Sequence, residues 1–243
     1  MPVFKITVEY DGTGLAGWQK QPDFYSVQQA LETAVEKLSG QPVDIFCAGR
    51  TDAGVHALGQ VAHFTLEKDW DAFRMWEGLN YYLRGDEKLP IPEQVAILKV
   101  EKAADDFHAR FHAKRRYYLY RIANRRGHLA LDGKRAWCVP EILDIEKMQA
   151  AAKLLLGKHD FTSFRSTSCQ SKSPVKTLDY LNVEKHGEEI IITCNAVSFL
   201  HHQVRNMVGT LKLVGNGKWQ VEDVQKALEA REDRKSTRLN SSH

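Results

Sequence analysis

The sequence predicts an α+β protein built from two halves with the same order of elements. Three patterns carry this prediction. Residues 3–10 alternate apolar and polar side chains, as a strand with one buried face does. Residues 27–38 place apolar side chains at helical spacing. The same order of strand and helix begins again at Arg115, which indicates an internal repeat.

The first two predicted elements are a strand and a helix joined by a glycine-rich loop. The strand 3–10 has its large apolar side chains on one face. The loop 11–17 could bind phosphate, although it lacks the spacing of a Walker or dinucleotide motif. Ser26 and Gln29 form a capping box that starts the helix, and Gly40 ends it.

The first half continues with two strands, a helix and a further strand. The strand-like runs 43–47 and 61–66 flank a polar loop, and the second helix runs from about Asp69 to near Gly85. A strand at 95–100 follows. This order, β-α-β-β-α-β, is the split arrangement of the ferredoxin-like fold.

The second half begins to repeat that order. Its predicted elements are a strand at 115–124, a helix at 144–156, a hairpin over 178–197, and helices at 201–214 and 221–230. We expect the two ferredoxin-like halves to form a mixed, mainly antiparallel sheet with helices on one side and a central basic cleft.

The last strand of the second half is missing from the pattern. After Arg234 the chain reads KSTRLNSSH, which is polar and has no apolar alternation. We therefore predict an N-terminal half at 1–104 that carries the catalytic loop, a C-terminal half at 105–234, and a foreign or disordered tail at 235–243. Such a second sheet would have an open edge.

Composition excludes several classes of protein. The 243 residues are 43% hydrophobic and 27% charged, as in an ordinary soluble protein, and the net charge of +3 is too small to indicate a partner by itself. The four cysteines form no CxxC pair, so we expect neither a disulfide framework nor a zinc site. No apolar run has membrane-spanning length, and a cytoplasmic protein is expected.

The stretch 46–58, FCAGRTDAGVHAL, is longer and more polar than a chain reversal requires. The guanidinium of Arg50 can hydrogen-bond the carboxylate of Asp52 two positions later and keep it ionised. A positioned carboxylate can act as a nucleophile, a base or a stabiliser of a cation. The alternative is an Asx-turn with a surface ion pair.

GRTDAGVHA resembles the signature of the TruA-type tRNA pseudouridine synthases, and six further motifs resemble that family in the same order over residues 3–234. Several collinear motifs are far more specific than one. The six are YDGTGLAGWQ from Tyr10, SVQQALE from Ser26, DDFHARF from Asp105, RRYYLYRI from Arg115, GKHDFTSFR from Gly157 and FLHHQVRNMVG from Phe199.

The resemblance implies an isomerase that converts uridine to pseudouridine at positions 38, 39 and 40 of the anticodon stem-loop of tRNA. It implies that Asp52 is the nucleophile, that Tyr117 is the active-site tyrosine and that Arg205 lies beside the aspartate. Arg50, which can orient Asp52, is the fourth predicted catalytic residue. The resemblance also implies a homodimer that uses no cofactor, and because the sequence has no metal motif we expect no metal.

Side chains that could bind the RNA substrate are mostly basic or imidazole groups. On the strand after Lys114, an aromatic ring flanked by two arginines suits base stacking and phosphate neutralisation, although a tyrosine is also simply a good strand residue. A charge on a loop is usually just solvated. The predicted substrate-binding residues are Thr51, His56, Arg110, Lys114, Arg115, Arg116, Arg121, Arg165, Lys172, His201 and His202.

Three other interpretations have less support from the sequence. His108 and His112 are four apart, but no third ligand follows at useful spacing, so a zinc site is not expected. A non-catalytic RNA-binding module of the same fold would not need Asp52. A metal-dependent nuclease would need a second carboxylate near Asp52, and the sequence offers none there.

Overall fold

The computed structural model describes residues 1–84 and 93–232 and divides into two compact units, Met1–Ala113 and Lys114–His243. Two sheets and five helices confirm the α+β class. The predicted helix end near Gly85, the tail at 235–243 and the missing last strand lie outside the described residues.

The first unit is a four-stranded antiparallel sheet covered by two helices, with the strand order β2-β3-β1-β4. Residues 105–113, which we assigned to the C-terminal half, lie in this unit. Its elements are β1 (Val3–Tyr10), α1 (Val27–Ser39), β2 (Phe46–Cys47), β3 (Ala57–Thr65), α2 (Ala72–Leu83) and β4 (Val95–Ala103).

The predicted strand, N-cap and helix end at the start of the chain are confirmed, and of the predicted capping box the structure shows the bond that Ser26 accepts. The strand β1 buries Phe4, Ile6 and Val8 completely against the helices. Ser26 is the N-cap of α1, where its hydroxyl accepts a hydrogen bond from the backbone N–H of Gln29. Gly40 ends α1 at a φ of 72°, a left-handed conformation that glycine adopts without strain.

Helix α2 is fixed to the edge strand β4 by polar side chains. The Asn80 side chain both donates to the Ile97 carbonyl and accepts from the Ile97 N–H, each at 2.9 Å. The indole N–H of Trp76 donates to the same carbonyl at 2.7 Å. These bonds occupy backbone groups that an edge strand would otherwise present to another chain.

The second unit is a five-stranded sheet of order β6-β5-β9-β8-β7, antiparallel except for the pairing of β5 with β6. Its three helices pack against the core on one face. Its elements are β5 (Arg116–Ala123), β6 (Trp137–Cys138), α3 (Ile145–Leu154), β7 (Gly157–Asp160), β8 (Val175–His186), β9 (Glu189–Ala196), α4 (Gln203–Gly215) and α5 (Val221–Ala230).

Three elements of the second unit were not predicted: β6, β7 and a single turn of 3-10 helix at Thr162–Phe164. Each spans four residues or fewer, which is too short for a periodic pattern. The prediction of one sheet through both halves is wrong. Each strand of the described residues pairs with strands of its own unit, so the first unit has a four-stranded sheet and the second a five-stranded one.

None of the described helices combines the length and the apolar character that crossing a membrane would require. All four cysteines are free thiols, and Cys47 and Cys194 are buried.

Candidate active site

The Asp52 loop, residues 48–56, joins β2 to β3. Its first residue donates from its N–H to the Val61 carbonyl, which extends the strand ladder into the loop. A tight turn follows, in which the Val55 N–H donates to the Asp52 carbonyl at 3.2 Å and Gly54 has a φ of 76°. The Gln60 side chain on β3 donates to the Gly49 carbonyl at 2.6 Å, which ties the beginning of the loop to the strand that follows it.

Thr51 is held from two directions immediately before Asp52. Its hydroxyl and that of Tyr10 share a hydrogen bond of 2.7 Å, and its carbonyl accepts from the Trp18 N–H at 3.0 Å. Both partners are rigid, since Tyr10 and Trp18 are each only 2% exposed. The backbone that carries the carboxylate is therefore fixed to the core of the first unit.

The glycine-rich loop 11–17 packs directly against the Asp52 loop. A Cβ at Gly17 would overlap the Thr51 carbonyl oxygen and lie 2.8 Å from the Asp52 carbonyl carbon. A Cβ at Gly12 would similarly meet the Val55 carbonyl group. The glycines therefore permit a close backbone approach, and this role explains them without a bound phosphate.

His56 connects the same two loops from the other end. Its Nδ1 lies 3.1 Å from the Gly12 backbone nitrogen and 3.0 Å from Asp11 Oδ1. When Nδ1 carries no proton it accepts from the Gly12 N–H, and when it is protonated it donates to the carboxylate. We predicted His56 as a substrate ligand, and the structure shows it bound to the glycine-rich loop.

Asp52 itself is half-buried and Arg50 is exposed. The hydrogen bond between them stays a prediction. A second guanidinium, that of Arg110, approaches from residues 105–113. Burial raises the pKa of Cys47 to about 11, and the positive charges of Arg50 and Arg110 both oppose this rise. Positive charge from two segments thus gathers beside the first residues of the Asp52 loop.

In the second unit, the side chains of β5 alternate between the two faces of the sheet. Tyr117 and Leu119 are 72% and 51% exposed, whereas Tyr118 and Tyr120 pack against the core. The exposed ring of Tyr117 is therefore presented on the solvent face of the sheet.

Arg115, which precedes β5, and the two arginines of β5 differ in their partners. Arg115 forms an ion pair of 3.5 Å with Asp179, and the Arg116 guanidinium donates to the Val197 carbonyl. Arg121 is bound by both Glu189 and Asp132, which favours a structural role for it over RNA binding.

Three other predicted residues, His201, His202 and Arg205, lie at or near the start of α4. The helix begins at Gln203, so His201 precedes it and lies outside the helix that we predicted over residues 201–214. His202 is the N-cap, with a left-handed φ of 62° that a residue other than glycine adopts at a cost. The Ser166 N–H donates to the His201 carbonyl, which places the segment after Arg165 against this turn.

Arg205 lies close enough to Tyr120 to act on it. Burial raises the pKa of Tyr120, and the positive charge of Arg205 opposes this rise. The Asn206 side chain donates to the Phe164 carbonyl at 2.9 Å and anchors the helix to the 3-10 turn. Lys114 and Lys172 are exposed, and their contribution to an RNA surface stays a prediction.

His108 and His112 use their Nδ1 atoms within the chain. Nδ1 of His108 accepts from the Arg110 N–H at 3.2 Å, and Nδ1 of His112 accepts from the His108 N–H at 2.8 Å. Both imidazoles therefore stabilise the turn over residues 108–112.

Sequence reasoning missed the residues that hold the Asp52 loop, namely Tyr10, Gly12, Gly17 and Trp18. All four lie in YDGTGLAGWQ, a motif that supports the resemblance and contains the loop that we considered for phosphate binding. Three glycines in one loop without a phosphate-binding spacing were the available signal for a close backbone approach.

Comparison with known proteins places this sequence in a family. The sequence matches the family described as tRNA pseudouridine synthase over residues 6–112 and 151–242. The protein named tRNA pseudouridine synthase A from Paramagnetospirillum magneticum is 56% identical over 232 residues, which cover 96% of this chain and 88% of the relative.

Two further relatives carry the same name. The Maricaulis maris protein is 51% identical over 230 residues, covering 95% of this chain and 90% of its own. The Brucella ovis protein is 52% identical over 236 residues, covering 97% and 92%. The chain therefore belongs to the tRNA pseudouridine synthase family, the isomerases that convert uridine to pseudouridine.

Proposed function

We propose that this enzyme isomerises uridines at positions 38, 39 and 40 of the tRNA anticodon stem-loop and that Asp52 is its nucleophile. The observation that carries the assignment is the fixation of the Asp52 loop. Thr51 is bound to two buried aromatic residues, and the Gly17 backbone lies against the Thr51 carbonyl. A carboxylate held in this way can meet a reacting atom without reorganisation.

The reaction breaks the bond between uracil N1 and ribose C1′, turns the base and joins C5 to C1′. The C5 proton leaves and N1 gains one, so the nucleoside keeps its composition. Cleavage develops positive charge on the sugar and negative charge on the base. The Asp52 carboxylate suits this step either as a nucleophile that forms a covalent adduct or as a group acting on the sugar.

The base must leave the stack before its atoms can be reached. Arg50 is exposed on the Asp52 loop, and Tyr117 is exposed on β5, which suits both side chains to contact RNA. The family resemblance assigns catalytic roles to Tyr117 and Arg205, which stay predictions. Tyr117→Phe should keep the stacking face and lose only what the hydroxyl contributes.

The finer architecture is also a proposal. The order β2-β3-β1-β4, with antiparallel neighbours throughout, supports a ferredoxin-like first unit. We further propose that the enzyme acts as a homodimer in the cytoplasm, without a cofactor. Light scattering of the purified protein would measure its assembly state.

The decisive experiment compares Asp52→Asn with Asp44→Asn, which removes an exposed carboxylate from the same unit. Each protein is incubated with tRNA carrying tritium at C5 of uridine, and released tritium is counted. We expect no release from Asp52→Asn, with the fold and tRNA affinity retained, and wild-type release from Asp44→Asn. Tritium release by purified Asp52→Asn would refute Asp52 as the nucleophile. No release from the wild-type protein, with tRNA affinity retained, would instead favour a non-catalytic binding module.

A further inference from the structure

Four aromatic rings form a continuous cluster at the base of the Asp52 loop. His63 on β3 lies 5.5 Å from Phe46 on β2 and 4.6 Å from His108, measured between ring centroids. His108 in turn lies 4.3 Å from Phe111, the shortest of these contacts. We call Phe46, His63, His108 and Phe111 the ring platform.

The ring platform is buried at one end and open at the other. His63 is only 6% exposed, and its Nδ1 accepts from the Ala109 N–H at 3.2 Å, which fixes the turn that carries His108 and Phe111. Phe46 and Phe111 are 50% and 73% exposed. These two exposed rings are joined through His108 into one apolar surface on a rigid base, and contiguous exposed apolar surface is typical of interaction sites.

Positive charge surrounds the open end. The Arg110 guanidinium carbon lies 5.9 Å from the centroid of the Phe111 ring, a cation–π distance. Arg110 and Arg50 both act on the thiol of Cys47, the residue after Phe46. The rings therefore lie beside two guanidinium groups, one of which belongs to the Asp52 loop.

We propose that the ring platform stacks an unpaired nucleobase of the RNA substrate, next to the uridine on which Asp52 acts, with Arg110 neutralising a neighbouring phosphate. This inference rests on the proposed function, since it concerns the same RNA. Aromatic rings interleaved with guanidinium groups are the arrangement that binds single-stranded nucleic acid without reading its sequence. An unpaired base is the natural occupant because flipping the target disrupts the stack around it.

Charge favours RNA over a second copy of this chain as the occupant. RNA supplies a phosphate at every nucleotide, which matches the positive charge of Arg110 and Arg50 beside the rings. Stacking on a preformed ring requires little ordering, because the cluster fixes His108 and Phe111 in advance.

The test compares Phe111→Ala and Phe46→Ala with Phe73→Ala. Phe73 is the matched control, since it is 62% exposed in the same unit and also contacts one ring, that of Trp76, at 5.8 Å. Affinity for an unmodified anticodon stem-loop RNA is measured by fluorescence anisotropy, which needs no turnover. We expect about 5-fold to 100-fold weaker binding for each ring-platform variant and wild-type binding for Phe73→Ala.

Direct contact is tested with stem-loop RNAs that carry 2-aminopurine at single unpaired positions. Wild-type protein should quench one of these positions, and Phe111→Ala should restore its fluorescence. Unchanged affinity and quenching in both ring-platform variants would overturn the proposal. So would a Phe111→Ala protein whose assembly state, measured by light scattering, is lost together with RNA affinity, since the surface would then join two copies.

The two proposals can fail separately. If wild-type protein forms no pseudouridine in tRNA but the quenching and its loss are observed, the isomerase assignment fails and the ring platform stands. If pseudouridine forms and depends on Asp52 while the ring-platform variants bind RNA normally, only the ring platform is refuted.

Discussion

Tyr10 and Thr51 lie 41 residues apart in the sequence, and their hydroxyl groups share a hydrogen bond of 2.7 Å. Burial raises the pKa of Tyr10, although its hydrogen bonds to Thr51 and Gln60 oppose the rise, so its hydroxyl stays protonated at neutral pH. The bond therefore joins the end of β1 to the residue before Asp52 and makes the position of the carboxylate depend on the core of the first unit.

A double-mutant cycle should show this dependence. Tyr10→Phe and Thr51→Val each remove one hydroxyl of a single hydrogen bond, so their effects on the free energy of unfolding should be coupled by about 1 kcal/mol. Each single variant should also lower kcat, because the Asp52 loop gains freedom. Thermal unfolding and tritium release measure the two effects. Strictly additive changes in both would show that the contact does not position the loop.

Gly17→Ala should be far more damaging than Gly14→Ala. Both glycines have a positive φ, 87° and 77°, so both substitutions carry a similar backbone strain of about 1 kcal/mol. A Cβ at Gly14 meets nothing within 4 Å, whereas one at Gly17 overlaps the Thr51 carbonyl. We expect Gly17→Ala to lower kcat by about 100-fold through displacement of Asp52.

Gly14→Ala is the matched control and should lose stability with little change in kcat. Equal kcat values for the two variants, measured at a temperature where both are folded, would refute the view that the close backbone approach positions Asp52.

Local patterns predicted much of the fold. The alternation in residues 3–10 and the cap at Ser26 gave β1 and α1, because period and capping chemistry are local properties. The helix α5 was predicted with the bounds that the structure has, Val221–Ala230. The strands β6 and β7 were missed because they exist through pairing with distant strands and not through their own sequence.

The candidate site was only partly predictable for the same reason. The composition of the stretch 46–58 pointed to Asp52, but nothing local indicates that Gly17 packs on Thr51 or that Phe46 contacts His108. These contacts join segments distant in sequence. Arg121 lies in a basic strand, which suggested RNA binding, and only the structure shows that Glu189 and Asp132 bind its guanidinium.

Acid should weaken the first unit through His63. Burial and the neighbouring His108 hold the pKa of His63 below its ordinary value of 6.5. The unfolded chain therefore binds the proton more readily than the folded one, and this contribution to stability is complete above pH 6.5 and lost as the pH falls towards the pKa of the folded state. Protonation of Nδ1 would also remove the acceptor of the Ala109 N–H.

Denaturant unfolding between pH 8 and pH 5 measures this effect. His63→Gln, which keeps an acceptor but cannot titrate, should lose less stability on acidification than the wild type, although it starts from a lower value. Identical slopes for the two proteins below pH 6.5 would show that other groups cause the acid sensitivity.

Arg121→Gln and Arg115→Gln should separate structure from RNA binding on one strand. The hydrogen bonds that Arg121 donates to Glu189 and Asp132 raise the pKa of Arg121, and its side chain is 32% exposed, so its loss should cost about 1 kcal/mol of stability. The side chain of Arg115 is 52% exposed and has one looser ion pair of 3.5 Å, so its loss should leave stability nearly unchanged.

Binding should show the reverse order. If Arg115 contacts a phosphate, Arg115→Gln should reduce by about 1 the slope of the logarithm of tRNA affinity against the logarithm of salt concentration, because one fewer counterion is released. Arg121→Gln should keep the wild-type slope, since its two carboxylates already neutralise the guanidinium. A reduced slope for Arg121→Gln with unchanged thermal stability would mean that Arg121 leaves its carboxylates to bind the RNA backbone.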